Sequence, residues 1–143
     1  MPTSFDTVRH VTRFAIDPSI LLRLVSSEVG VDGAHQLVAP HSLRSDALDL
    51  LLLDVRRGNA DERTALLLHE RMTELKIRQL GDRASRRTAW QIAMAHEWAT
   101  IHSAEYLAVA KLQADALVTE DPELVANAGG IVPLAPFAAI FES

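Results

Sequence analysis

The feature that most constrains the fold is a short apolar run, Phe14 to Ile16, closed by Asp17 and followed at once by Pro18. Proline is pre-organised for the first helical position, and Ile20, Leu21, Leu24 and Val25 then recur at helical spacing, so the segment predicts a strand feeding directly into a helix. The alternation continues downstream. Gly30 to Gly33 breaks the helix, Leu37 to Ala39 reads as a short extended segment, and Pro40 is expected to open a helix running from Leu43 through Leu48, Leu51 and Leu52 to Val55. Basic Arg56 and Arg57 followed by Gly58 form a helix stop. Asp61 to Leu75 repeats leucines at helical spacing after a short link, which predicts an antiparallel helix pair.

Lys76 to Leu80 alternates polar and apolar residues as a half-buried strand does, and Gly81 and Asp82 precede a helix expected to reach about Trp98. Ser103 reads as the N-cap of a helix over AEYLAVAKLQ, ADALVT as an apolar strand ending at Thr119, and IVPL, after Gly129 and Gly130, as a last short strand. Strands alternating with helices predict an α/β fold with a mostly parallel central sheet and helices on both faces, an α/β/α sandwich. The 143 residues suffice for one core, read as a single domain over 1-143 with its centre at about 13-134 and short extensions at either end.

Cysteine is absent, which removes disulfides, thiolate metal sites and a cysteine nucleophile and suits a reducing cytosol. The first residues are polar, and no run approaches a membrane span, so a cytoplasmic protein without a membrane partner is expected. The net charge of -5 argues against an indiscriminate nucleic-acid coat, yet it is unevenly spread. Ten of the 14 basic residues fall between Arg44 and Arg87, whereas Lys111 alone faces seven acids from Thr88 onward.

Three aspartates stand where strand-to-helix junctions would gather them. Asp17 and Asp121 close apolar runs, and Asp46 lies about one turn inside an apolar helix. In a parallel sheet the carboxyl ends of the strands border the ligand crevice, and carboxylate oxygens collected there suit Mg2+ or Mn2+. Other chemistries lack an anchor. His96 and Glu97 do not have the H-E-x-x-H spacing of a zinc site, with His102 six residues on from His96, and serine-hydrolase, P-loop and dinucleotide signatures are missing. Trp90 and Trp98, eight residues apart on one expected helix, read as packing residues sharing a face, with base stacking as the alternative.

The order AIDPS, then an acid on a helix followed by VRRG, then AEYLAVA, then LVTED resembles the PIN-domain ribonucleases, and among them the VapC toxins of toxin-antitoxin pairs. The resemblance runs from about Arg13 to about Leu134. It implies a PIN-like fold and a Mg2+- or Mn2+-dependent endoribonuclease that hydrolyses RNA phosphodiesters with metal-activated water. It further implies a VapB-like antitoxin as partner and a homodimer formed through the first half of the fold. Asp17, Asp46 and Asp121 match the family's acidic positions, and Ser19 and Thr119 its small hydroxyl residues near the metal.

Arg44, Arg83, Arg86 and Arg87 are the candidates for steering the RNA backbone. One position departs from the pattern: Ser103 stands where the family carries a third acid. Glu105 is two residues along the same helix, about 200° round, and should point away. Asp49, three residues after Asp46, is the better candidate for a supplementary ligand, although pairing with an arginine is its favoured role. Ser103 is expected to act as a helix cap, with a water-mediated metal contact as the alternative. The same departure admits a second expectation, a catalytically weakened PIN domain that works as an RNA- or protein-binding module.

Overall fold

The computed structural model describes residues 11–27 and 35–142; the expected break at Gly30 to Gly33 lies outside them. Strands β1 (Thr12–Ile16), β2 (His35–Pro40), β3 (Ile77–Leu80) and β4 (Ala116–Val118) form one sheet of order β3-β2-β1-β4. Every pairing is parallel. Phe14, Ala15 and Ile16 of β1 and all three residues of β4 are buried, as expected of parallel strands covered on both faces.

The helices are α1 (Pro18–Ser26), α2 (Leu43–Arg56), α3 (Glu62–Glu74), α4 (Arg83–Ala95), α5 (His102–Gln113) and the short α6 (Pro122–Asn127). The steps from β1 to β2 and from β2 to β3 run in one direction across the sheet. The step from β3 to β4 runs back in the other. Right-handed crossovers therefore lay α1, α2 and α3 on one face and α4 and α5 on the opposite one. The packing agrees: α1 contacts α2 and α3, whereas α5 lies between α4 and strands β1, β2 and β4. The chain is thus an α/β/α sandwich.

Helix α5 is the central buttress. Ala104 and every residue from Tyr106 to Ala110 are buried. Leu107 is fully enclosed, so Leu107→Ala is expected to lower stability by about 2–5 kcal/mol, the cost of lost burial plus a cavity. Urea unfolding measures this, and a loss below about 1 kcal/mol would contradict the central position of α5. On the other face, Arg44 donates to the carbonyls of Met72 and Leu75 at 3.3 and 3.1 Å, and Arg71 donates to Val25 O at 3.1 Å. Both guanidiniums thereby satisfy carbonyls at helix C-termini and tie the three helices together.

Local chemistry sets most helix ends. Asp17, Asp61, Asp82 and Asp121 are all N-caps whose side chains accept a backbone N–H. The VRRG stop works as expected. Gly58 has φ +77°, and the N–H groups of Gly58 and Asn59 bond back to Val55 O and Asp54 O, a left-handed helix closure.

Five expectations are corrected. Pro40 ends β2 and does not open a helix; the ladder with β3 continues one residue further, where His41 N–H donates to Leu80 O, so the chain stays extended and α2 begins at Leu43. The α4 helix stops at Ala95, short of Trp98. Glu97 takes φ 55° and Trp98 N–H closes on Ala93 O, the same left-handed ending without glycine. Trp98 consequently stacks on His96, with 4.8 Å between ring centroids, and does not share a helical face with Trp90. Residues 131–134 form no strand, only an isolated bridge from Leu134 to Leu117. Lastly, Ser103 is not an N-cap: Ile101 holds that position with no side-chain cap bond, and Ser103 is already inside α5.

Candidate metal centre

Strands β1 and β4 are neighbours whose connections leave toward opposite sides of the sheet, so their carboxyl ends border the crevice where such folds bind ligands. Ile16 pairs with Val118, and Asp17 and Thr119 therefore leave the sheet side by side. A pocket of about 200 Å³ opens there, lined by Asp17, Ser19, Asp46, His102, Ser103, Tyr106 and Asp121, with Leu50 and Leu124 among its apolar walls.

Asp17 is the innermost acid, 1% exposed. Its Oδ1 accepts from Ser19 Oγ at 2.7 Å and Ile20 N–H at 3.1 Å, and its Oδ2 accepts from Thr119 Oγ1 at 2.7 Å. Both small hydroxyls thus act on Asp17. Burial pushes the Asp17 carboxyl above its usual range, the three neutral donors oppose this, and the nearby Asp121 charge pushes it further up. The exposed caps Asp61 and Asp82 behave oppositely. Their carboxyls are held below the usual range chiefly by the backbone N–H of Thr64 and of Ser85. The capping role is shared, and burial beside a second acid sets Asp17 apart.

Asp121 sits at the β4 exit, accepting Glu123 N–H on Oδ1 at 2.8 Å, while its own N–H donates to Thr119 Oγ1 at 2.9 Å. Asp46 comes from the first turn of α2. Its Oδ2 accepts the Tyr106 hydroxyl at 2.7 Å, bridging the two helical layers above the sheet edge. Burial first, and then the Asp46 carboxylate, push the Tyr106 phenol far up, so it acts as a fixed hydrogen-bond donor. Sequence reading missed Tyr106 as a site residue. Its signal was the AEY triplet, in which a tyrosine stands three residues after the departing Ser103.

The remaining candidates separate. Ser103 lines the pocket, and Glu105 does not. Asp49 is exposed and stands outside the pocket wall, where Leu50, one full turn after Asp46, takes the place expected of it. Arg44 is engaged by the carbonyls at the end of α3 and does not line the pocket. Arg83, Arg86 and Arg87 lie on the exposed side of α4. The ion pair seen among the described residues joins Arg23 to Glu120, whose backbone N–H also donates to Ser19 Oγ.

The donor chemistry fits a hard divalent ion. Apart from the imidazole of His102 in the wall its donors are oxygens, they include a buried acid, and no Lys or Arg among the described residues lines the pocket. As folded, the acids share one pocket without closing into a ligand cluster: among the described residues no three His, Asp or Glu side chains form a group able to hold a metal ion. Each carboxylate is instead engaged by protein donors.

The crystal structure of PAE2754 from Pyrobaculum aerophilum is similar to this chain, with a TM-score of 0.67 at 21% identity over 92% of this chain and 95% of that one. That likeness is one of fold. No protein-family model and no curated protein matches the sequence. No helix among the described residues is long and apolar enough to cross a membrane.

Proposed function

We propose that the chain is a divalent-metal-dependent endoribonuclease of the PIN type, the VapC-like toxin of a toxin-antitoxin pair acting in the cytoplasm. The observation that carries this reading is the meeting of Asp17, Asp46 and Asp121 in one pocket at the carboxyl ends of adjacent parallel strands. These three would hold Mg2+ or Mn2+. Ser19 and Thr119 orient Asp17, Tyr106 orients Asp46, and Ser103, in the pocket wall, would contact the ion through water. When bound, the ion lowers the pKa of a water and neutralises charge on the scissile phosphate. With water activated by the ion, no side-chain nucleophile is needed.

Pairing of two copies through the first half of the fold and docking of a VapB-like antitoxin belong to the same reading. Exposed Leu52 and Leu53 on α2 and Leu66 and Leu67 on α3 offer apolar surface for such contacts. A second reading is favoured by Ser103 in the wall of the pocket: a PIN domain short of one carboxylate, retained for binding RNA or protein. Incubating the purified protein with a mixed RNA pool in Mn2+, Mg2+ or EDTA tests the choice. Metal-dependent cleavage leaving 5′-phosphate ends is expected; intact RNA under every condition would eliminate the nuclease in favour of the binding module.

A further inference from the structure

Trp90 and Met94 on α4 are the most exposed large apolar side chains among the described residues, at 62% and 64%. At 100° per residue, Arg83, Arg86, Arg87, Trp90 and Met94 fall within an arc of about 100°. That arc is separate from the one holding the buried Ser85, Ala89, Ile92 and Ala93, its centre about 120° away, and the strip it makes is about 16 Å long. The helix contains no acid, in a chain whose net charge is -5. Among the described residues Arg83 and Arg87 have no ion-pair or hydrogen-bond partner, while Arg86 is anchored on Gly81 O at 2.8 Å.

The strip connects to the acidic pocket. Helix α4 starts at the carboxyl end of β3, the end of the sheet at which Asp17 and Asp121 stand. Between them the His41 ring packs closely against Gly81, where a Cβ would come within 2.5 Å of its Cδ2. The next residue, Ser42, is the N-cap of α2, and its carbonyl accepts the backbone N–H of Asp46, in the pocket wall, at 2.8 Å. Neighbouring residues thus lead from Asp46 through Ser42, His41 and Gly81 to Arg86 in the first turn of α4.

We propose that the outer face of α4 is a track for single-stranded RNA leaving the acidic pocket, its guanidiniums holding phosphates and Trp90 stacking a base. The choice of RNA rests on the nuclease reading. Guanidiniums interleaved with an open indole match a polyanion that carries π faces, and stacking requires bases freed from a duplex. A protein partner could bury Trp90 and Met94, but it would have to supply acids along the whole strip.

Anisotropy of a labelled, unstructured 15-mer RNA in EDTA, with the full chain, reads binding without cleavage. The double variant Arg83→Gln/Arg87→Gln is expected to bind at least about tenfold more weakly and to lose about one unit of the log K against log salt slope. Trp90→Ala is expected to lose about fivefold or more and Trp90→Phe little. The charge-matched pair Arg56→Gln/Arg57→Gln, at the exposed end of α2, should stay within about twofold of wild type. Wild-type failure to bind RNA, wild-type affinity in the strip variants, or equal weakening by the α2 pair would each overturn the track. So would unchanged RNA affinity in Trp90→Ala accompanied by a shift in its oligomeric state, which would assign the face to protein contact. Strip-dependent binding without metal-dependent cleavage would leave the track and remove the nuclease; cleavage with strip-independent binding would do the reverse.

Discussion

Asp17→Asn is expected to lower metal-dependent RNA cleavage by about 10²–10³-fold or more, because even outer partners of a metal site are worth about 10–100-fold. The same variant should melt higher than wild type when metal is withheld. Asp17 is buried with neutral donors and a second acid nearby, and its carboxyl is raised above the unfolded value of 3.8. Its protonated form therefore favours the folded state. That contribution is fully present below about pH 3.8 and is lost as pH rises through the raised folded value. At neutral pH the metal-free wild type carries the whole cost of a buried charge, and asparagine carries none.

Asparagine can still accept from Ser19 and Ile20 and donate to Thr119 Oγ1. With about 1 kcal/mol recovered, Tm should rise by about 2–4 °C for a domain of this size. Calorimetry in EDTA at pH 7.5 measures the gap, which should narrow toward pH 4. Saturating Mn2+ should reverse it, since only wild type gains binding free energy, about 2.7 kcal/mol at a hundredfold excess over Kd. A wild type that is the more stable protein in EDTA at pH 7.5 would refute the uncompensated acid. Equal response of both proteins to Mn2+ would remove Asp17 from the metal site.

Ser103→Asp is expected to act in the opposite direction, raising Mn2+ affinity about tenfold and cleavage about 10–100-fold. Position 103 already lines the pocket with Asp17, Asp46, Tyr106 and Asp121. A carboxylate there adds a negative charge and two hard oxygens, the quantities that set affinity for such cations. Near the start of α5 it is also favoured by the helix dipole, by about 0.3–1 kcal/mol. Without metal the added charge should lower Tm, so the stability gained on adding Mn2+ should exceed that of wild type. Titration calorimetry and the RNA assay together decide. An inactive wild type made active by Ser103→Asp identifies a domain whose chemistry has been turned off, whereas unchanged affinity would place position 103 outside the ion's reach.

Helices α1 to α4 were legible where their ends carry their own chemistry. Aspartates at 17, 61 and 82, proline at 18 and glycine at 58 announce starts and stops through bonds made within a few residues, whereas the short α6, which Asp121 and Pro122 start in the same way, went unread. Ends lacking such residues misled. Glu97 closes α4 in a conformation that sequence leaves to glycine, and Ser103 carries a capping side chain at a position already inside α5. Pro40 has the residue type of a helix start and the hydrogen bonds of a strand.

The site divides along the same line. An acid after β1 and an acid after β4 could be read from the chain, because each closes a continuous apolar run that parallel pairing buries on both faces. The partners of those acids could not. Tyr106 meets Asp46 across 60 residues and Thr119 meets Asp17 across 102. The removal of Arg44 to the end of α3, the turning of Asp49 to solvent and the exposure of the face that carries Trp90 and three arginines likewise follow from which helix face packs. Bonds between near neighbours carry their geometry in the residues themselves, whereas contacts across layers depend on strand order, register and crossover hand, which no local stretch encodes.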